Sequence, residues 1–180
     1  KIGGPKGVGA LYVRSGVPVE AIVHGGGQER GLRSGTLNTA GIAGFGAAAA
    51  VAAAEVESEG ERLRRLRDRL LDGIRGCAPD VVVNGSLEQR VAGNLNVCVP
   101  GTEGETLLLL LDGAGIACSS GSACSSGALD PSHVLLAMGV PRELAIGSLR
   151  FSLGRTSTDA DVDAVLSALP GIVDTARRAA

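Results

Sequence analysis

Aromatic residues are almost absent from this chain of 180 residues, which contains one Tyr, two Phe and no Trp. Proteins that bind single-stranded nucleic acids stack the bases on aromatic side chains, and their binding surfaces are strongly basic. This chain has a formal net charge of −2 at pH 7 and a pI near 5.7. Both properties argue against nucleic acid as a partner.

Long apolar runs and cysteines are also scarce. No run approaches the about 20 apolar residues that a membrane-spanning helix needs, so we predict a soluble chain that does not enter a membrane. The four cysteines, at positions 77, 98, 118 and 124, form neither a dense disulfide framework nor a CxxC pair with zinc-like spacing. We therefore expect no metal site, and a reduced cytoplasmic compartment.

Lysine is the third scarce residue, since Lys1 and Lys6 are the only lysines among the 17 Lys and Arg residues. Any Schiff-base chemistry carried by this chain must use one of these two amines, although a solvated surface position is the ordinary alternative for each. The chain begins at Lys1 rather than at Met. This start predicts a fragment of a longer protein.

Apolar periodicity predicts an α/β chain. Strands are expected at 8–13, 19–23, 81–83, 92–99 and 148–153, and helices at 39–76, through 107–111, near 130–139, at 141–146 and after Thr158. Capping patterns place helix starts at Thr102 with Glu105, at Asp130 before Pro131, and at Thr158 with Asp161. The turn residues after Gly76 predict a domain boundary between residues 76 and 77.

A run of small residues, Ile-Ala-Cys-Ser-Ser-Gly-Ser-Ala-Cys-Ser-Ser-Gly at 116–127, predicts a strand end that opens into a mobile loop. Cys124 lies inside this loop and has few apolar neighbours that could raise its pKa. A nucleophilic cysteine needs such an environment, because its reactive form is the thiolate. The alternative is a small buried hydrophobe, which is the common role of cysteine. We expect that alternative for Cys118, which follows Ile116 on the strand side.

Two further polar segments are candidates for binding. Residues 24–36 are rich in glycine and in hydrogen-bond donors, which suits an anion or a partner subunit, although an ordinary solvated loop has the same composition. Arg150 lies between Ser148 and Ser152 on a predicted strand. It could hold a carboxylate through two parallel hydrogen bonds, or it could simply be exposed.

Four ordered motifs together resemble the cysteine desulfurases, which belong to the class V aminotransferase group of pyridoxal-phosphate enzymes. The motifs are Lys-Ile-Gly-Gly-Pro-Lys-Gly-Val-Gly at 1–9, His-Gly-Gly-Gly-Gln-Glu-Arg-Gly-Leu-Arg-Ser-Gly-Thr-Leu-Asn at 24–38, Ser-Ser-Gly-Ser-Ala-Cys-Ser-Ser-Gly at 119–127 and Leu-Arg-Phe-Ser-Leu-Gly-Arg at 149–155. The resemblance implies pyridoxal-phosphate fold type I. Residues 1–76 would complete the large cofactor-binding domain, and residues 77–180 would form the small C-terminal α/β domain that carries the cysteine loop.

The resemblance also implies a role for each matching residue. Lys1 corresponds to the lysine that binds pyridoxal phosphate as a Schiff base, and Thr36 to a residue that reaches the phosphate in the neighbouring subunit's site. Cys124 corresponds to the nucleophile that takes sulfur from L-cysteine as a persulfide and leaves L-alanine. Arg150 corresponds to the arginine that holds the substrate carboxylate.

The implied assembly is a homodimer that passes sulfur to an iron–sulfur scaffold or another acceptor protein, such as one that serves thiolation. The groups that orient the cofactor ring in this family lie upstream of the lysine, so we expect the isolated chain to bind pyridoxal phosphate poorly and to be inactive. Two alternatives stay open. The protein could be a selenocysteine lyase or another class V lyase, or the chain could be a non-catalytic sulfur-relay or docking module.

Overall fold

The computed structural model describes residues 2–120 and 130–180. Its α-helices are α1 (Thr39–Cys77), α2 (Gly104–Gly113), α3 (His133–Ala137), α4 (Arg142–Ala145) and α5 (Asp159–Ala179), and a short 3-10 helix spans Glu29–Gly31. Its strands are β1 (Val82–Val83), β2 (Asn94–Cys98) and β3 (Ser148–Ser152). The chain divides into two compact units, Lys1–Glu57 and Ser58–Ala180. This division lies inside α1. The boundary expected between residues 76 and 77, which would separate the large and small domains of a complete enzyme, stays a prediction.

The first unit has no β-strand among its described residues. The predicted strands at 8–13 and 19–23 are therefore wrong, apart from one isolated parallel bridge between Val23 and Arg33. A strand needs a neighbour to receive its backbone hydrogen bonds, and the described part of this unit provides none for Leu11 and Tyr12. Their side chains are 79% and 87% exposed.

Helix α1 begins in the first unit and ends in the second. The sequence of its second half predicts an apolar stripe of Leu63, Leu66, Leu70 and Ile74. Leu66, Leu70 and Ile74 are buried as expected, whereas Leu63 is half-buried. Its first half is built largely of Ala and Gly, and most of these residues are exposed.

By length and composition α1 could also cross a membrane, since one 18-residue window has a mean hydropathy of 1.5 and is 6% buried. The expectation that no segment would meet this criterion is wrong, because the many small residues count as apolar. Core helices of soluble proteins meet the same criterion, so the finding does not by itself place the chain in a membrane.

The second unit is organised around an antiparallel sheet with the order β1-β2-β3. Successive side chains of a strand alternate between its two faces, and Leu95, Val97, Leu149 and Phe151 all lie on the face that joins the hydrophobic core. Helices α1, α2 and α5 contribute the rest of this core, including Leu66, Leu107, Leu111, Val162 and Leu169. Arg150 consequently lies on the opposite face of the sheet.

Two of the three predicted helix caps are wrong. Helix α5 has the predicted capping box between Thr158 and Asp161. At α2, however, the Thr102 hydroxyl donates to the carbonyl of Val99 at 2.7 Å, and no side chain caps the helix. At α3 the N-cap is Ser132, because Asp130 pairs instead with Arg142 of α4.

Arg62 of α1 holds the segment that follows β3. Its guanidinium donates to the carbonyl oxygens of Gly154 and Ser157 and forms an ion pair with Glu59 at 2.9 Å. Backbone carbonyls bonded to a charged donor are held more firmly than those bonded to a neutral one. The exit of β3 is therefore fixed within the second unit.

Candidate active site

A row of polar residues crosses the sheet on the face opposite the core. Asn96 on β2 pairs with Arg150 on β3, and Arg150 pairs in turn with Ser119 through an isolated antiparallel bridge. On the other side of β2, the backbone N–H of Asn84 donates to the carbonyl of Asn96 at 3.0 Å. Directly paired residues share a face, so Asn84, Asn96, Arg150 and Ser119 form one transverse polar row.

The bridge at Ser119 ties the start of the cysteine segment to β3. The N–H of Arg150 donates to the Ser119 carbonyl at 2.7 Å, and the N–H of Ser119 donates to the Arg150 carbonyl at 3.1 Å. Cys124 lies in residues 121–129, outside the described residues. Its position along the chain, five residues after Ser119, connects it closely to this bridge.

Arg150 is half-buried, and its guanidinium is poorly satisfied. Its Nη2 donates to the Ser119 hydroxyl at 3.4 Å, which is long for a hydrogen bond between nitrogen and oxygen. Its Nε is buried and has no hydrogen-bond partner among the described residues. A buried donor without a partner costs about 1–3 kcal/mol. A ligand that carries negative charge and accepts a hydrogen bond from this guanidinium would remove that cost.

The three described cysteines are poor nucleophiles. Burial is the main cause that raises the pKa of Cys118 to about 11, with the nearby Asp112 carboxylate adding to the effect. Burial likewise raises the pKa of Cys77 and of Cys98. Since the thiolate is the reactive form, a raised pKa makes each of these thiols a weaker nucleophile at neutral pH. Cys118 is half-buried and packs against the hydrophobic core, which is less complete burial than the expected role implies.

In the first unit, residues 24–36 form a loop that is closed by its own polar side chains. The Ser34 hydroxyl accepts from the N–H of Gly27 at 3.3 Å, and Gln28 Oε1 accepts from the N–H of Gly35 at 3.0 Å. Glu29 and Arg30 both have positive φ, 52° and 59°, which side chains other than glycine adopt rarely. The loop presents Thr36 at an exposed position.

The structure therefore describes two of the four predicted site residues. Arg150 lies in the second unit and Thr36 in the first, whereas Lys1 and Cys124 lie outside the described residues. Sequence reasoning missed Ser119 and Asn96 as neighbours of Arg150, and Asn84 as the neighbour of Asn96. The predicted strand at 92–99 contains Asn96, but only the register of the sheet shows which of its residues lies opposite Arg150.

Comparison with known proteins gives a consistent result. The chain is 52% identical to a cysteine desulfurase IscS of Clostridium botulinum over 96% of its own length and 44% of the relative's. It is 53% identical to an IscS-like cysteine desulfurase of Mycobacterium tuberculosis, over 100% of the chain and 46% of the relative. The chain thus spans less than half the length of these relatives.

The solved structure of a NifS-like protein matches with a TM-score of 0.83 and 39% identity, over 96% of this chain and 44% of that one. This match confirms the predicted α/β fold of the pyridoxal-phosphate-dependent class V aminotransferases. The family model described as aminotransferase class V matches residues 1–165. The chain belongs to the class V aminotransferase family.

Proposed function

We propose that the protein containing this chain is a cysteine desulfurase that converts L-cysteine to L-alanine and keeps the sulfur as a persulfide on Cys124. The names of the relatives support this activity. The observation that carries the proposal is the unpaired Nε of Arg150, buried beside the bridge from which the cysteine segment departs. A substrate carboxylate supplies the charge and the acceptors that this guanidinium lacks.

Arg150 binds the substrate carboxylate in this proposal. A carboxylate accepts two parallel hydrogen bonds from a guanidinium, and a charged ligand at Nε would satisfy the one buried donor of Arg150 that has no described partner. Ser119 holds Nη2 only through a long contact of 3.4 Å. That contact can therefore be given up to the ligand at little cost.

Cys124 is the sulfur acceptor. Its thiolate attacks the sulfur of the bound cysteine, so that one S–S bond forms as the carbon–sulfur bond of the substrate breaks. The electron pair of the broken bond remains with the carbon skeleton, which takes up a proton and leaves as alanine, so no external oxidant is needed. The raised pKa values of Cys77, Cys98 and Cys118 leave Cys124 as the candidate for this step.

Pyridoxal phosphate is the proposed cofactor, and when bound it supplies an electron sink for the carbon skeleton of the substrate. The exposed Thr36, on a loop closed by Ser34 and Gln28, fits a hydroxyl donor to a phosphate oxygen in a neighbouring subunit. Lys1 would provide the amine that holds the cofactor. A phosphate group gains strongly from hydroxyl and backbone donors in a glycine-rich loop.

The proposal extends to the assembly. A homodimer would let Thr36 serve the site of the second subunit, and the persulfide would pass to an iron–sulfur scaffold or another sulfur-acceptor protein. We place the enzyme in the cytoplasm as a soluble protein, with residues 1–76 in the large domain and residues 77–180 in the small one. The basis for these points is the family, together with the reduced state that a reactive cysteine needs.

The test uses the full-length protein loaded with pyridoxal phosphate. Cys124→Ser should abolish the release of alanine and the gain of one sulfur atom that mass spectrometry detects on the wild-type enzyme. Cys118→Ser is the matched control, because the half-buried Cys118 thiol, with its raised pKa, takes no part in the proposed step. It should keep both signals.

Persulfide on the Cys124→Ser variant would overturn the assignment of Cys124. A wild-type enzyme that releases alanine from selenocysteine but not from cysteine would show that the protein is a selenocysteine lyase. If neither substrate yields alanine while an acceptor protein still binds, the chain is a docking module instead.

A further inference from the structure

We propose that Asn96 is a second residue that binds the substrate carboxylate, beside Arg150, and that Asn84 orients the Asn96 side chain for this purpose. The inference rests on the proposed function, since it assumes that a carboxylate binds at Arg150. It goes beyond that function because it assigns an uncharged hydrogen-bond donor, Asn96, to the carboxylate site. It also assigns a residue, Asn84, that determines which end of the Asn96 amide faces the ligand.

The first step is the distance between Asn96 and Arg150. The N–H and carbonyl of Arg150 both bond to Ser119, so they point away from β2. Asn96 and Arg150 therefore form a non-hydrogen-bonded pair, the type of antiparallel pair in which Cα atoms are about 4.5 Å apart and side chains are closest. Their side chains leave the sheet on the same face as immediate neighbours.

The second step is the orientation of the Asn96 amide. Nδ2 of Asn84 donates to Oδ1 of Asn96 at 2.6 Å and to Sγ of the buried Cys98 at 3.1 Å. Asn84 is only 6% exposed, and its Nδ2 lies between these two acceptor atoms, so the contacts favour one orientation of its amide. The oxygen of Asn96 is thus engaged on the β1 side, and its Nδ2 is left as a donor.

The third step is the position of Asn84 itself. Its backbone N–H bonds to the Asn96 carbonyl at 3.0 Å, and its own carbonyl accepts from the guanidinium of Arg90. The Arg90 guanidinium also donates to the carbonyl of Asn94 at 3.3 Å. These bonds fix the backbone on both sides of the amide pair, so the orientation does not depend on a free loop.

Together the row presents donors to a single ligand. Nε of Arg150 is buried without a described partner, and Nδ2 of Asn96 has no hydrogen-bond partner among the residues that the structure describes. A carboxylate has two oxygens with about four acceptor positions, which suits one charged and one neutral donor on adjacent strands. The Asn84–Asn96 hydrogen bond disfavours the alternative in which the amide oxygen of Asn96 faces Arg150 and occupies its guanidinium.

The test measures steady-state kinetics of the full-length protein with pyridoxal phosphate and L-cysteine. Asn96→Ala should raise KM about tenfold and change kcat by less than about twofold, because one hydrogen bond to a charged group is lost. Asn96→Asp should raise KM further, about 100-fold, since its carboxylate pairs with Arg150 and competes with the substrate. Ser152→Ala is the control, because Ser152 lies two residues along the same face and is exposed.

Asn84→Asp tests the orientation. An aspartate cannot donate when ionised, so Asn96 would turn its NH2 toward the new carboxylate at position 84 and its oxygen toward Arg150. KM should rise by more than in Asn84→Ala, which removes the constraint without reversing it. A role of Asn84 in stability alone would give the two variants equal KM values despite different thermal midpoints.

The outcomes separate this inference from the proposed function. If Arg150→Ala raises KM and Asn96→Ala and Asn96→Ser do not, the role of Asn96 is overturned while that of Arg150 stands. If Arg150→Ala leaves KM unchanged, the carboxylate site itself is wrong. Should Asn96→Ala fold poorly by circular dichroism, Asn96→Ser, which keeps a polar side chain too short to reach the ligand, gives the deciding KM.

Discussion

The two units of this chain differ in whether they contain a hydrophobic core. In Ser58–Ala180 a continuous core extends from Leu66 of α1 to Ala176 of α5. In Lys1–Glu57 no large hydrophobic side chain among the described residues is buried, and Ile22 is 89% exposed. One unit is stabilised by its own packing, whereas the other holds apolar surface that its described residues do not cover.

This difference explains which predictions from sequence were correct. Strand patterns were present in both units, but a pattern forms a strand only where a neighbouring strand is present. The chain spans less than half the length of its relatives, and an apolar surface of this kind is typical of a protein interface. In the first unit the sequence therefore identifies motifs but not strands. In the second unit it also predicts the helices and strands that form.

The largest expected effect comes from a matched pair of leucine truncations in this chain. Leu107 is fully buried and Leu11 is 79% exposed. Leu107→Ala should lower the free energy of unfolding by about 2–5 kcal/mol, because it removes core contacts and leaves a cavity. Leu11→Ala should change it by less than about 0.5 kcal/mol. Urea denaturation followed by circular dichroism measures both values.

Equal losses for Leu107→Ala and Leu11→Ala would show that the first unit has a core of its own, and the comparison between the units would fail. The slope of the free energy against urea is the internal control. If this slope is unchanged in both variants, the midpoints report stability rather than a change in the denatured state.

The parts of the fold that sequence predicted best depend on local physics. The stripe of Leu66, Leu70 and Ile74 and the capping box of Thr158 and Asp161 each follow from residues within one helix. The caps at Thr102 and Asp130 failed because another partner was available. The carbonyl of Val99 took the hydroxyl of Thr102, and Arg142 took the carboxylate of Asp130.

The candidate site shows the same limit. Arg150 was found from sequence because a strand pattern flanked it with two serines. Ser119 and Asn96 could not be assigned to it from sequence, because strand register depends on contacts between distant residues. Ser119 lies 31 positions before Arg150 (150 − 119), and Asn96 lies 54 positions before it (150 − 96). A shift of one residue would have placed either partner on the other face of the sheet.

A smaller effect is expected from alkaline pH, and it should act on the second unit, which holds all four cysteines. The unfolded Cys118 thiol loses its proton near pH 9.0, whereas in the folded chain its pKa is raised to about 11, mainly by burial. Between these values the folded state holds more protons than the unfolded state. Stability should therefore be fully present below about pH 9 and fall as pH rises to about 11.

Cys118→Ala should make this decline shallower in urea midpoints measured from pH 8 to pH 11. Some decline should remain, because burial also raises the pKa of Cys77 and Cys98. The matched control is Cys124→Ala, which removes another thiol of residues 116–127 and leaves Cys118 unchanged. An unchanged slope in Cys118→Ala would contradict the assignment of a thiol with a raised pKa at this position.

The smallest effect compares one helix cap in each unit. The Thr158 hydroxyl accepts from the N–H of Asp161 at 3.3 Å at the start of α5, and Asn38 Oδ1 accepts from the N–H of Gly41 at 3.0 Å at the start of α1. Thr158→Ala should lower the free energy of global unfolding by about 1 kcal/mol. Asn38→Ala should leave that value nearly unchanged and speed hydrogen exchange in the first turn of α1, because a helix end without core contacts opens locally. If Asn38→Ala instead shifted the global midpoint as much as Thr158→Ala does, the start of α1 would unfold together with the core of the second unit.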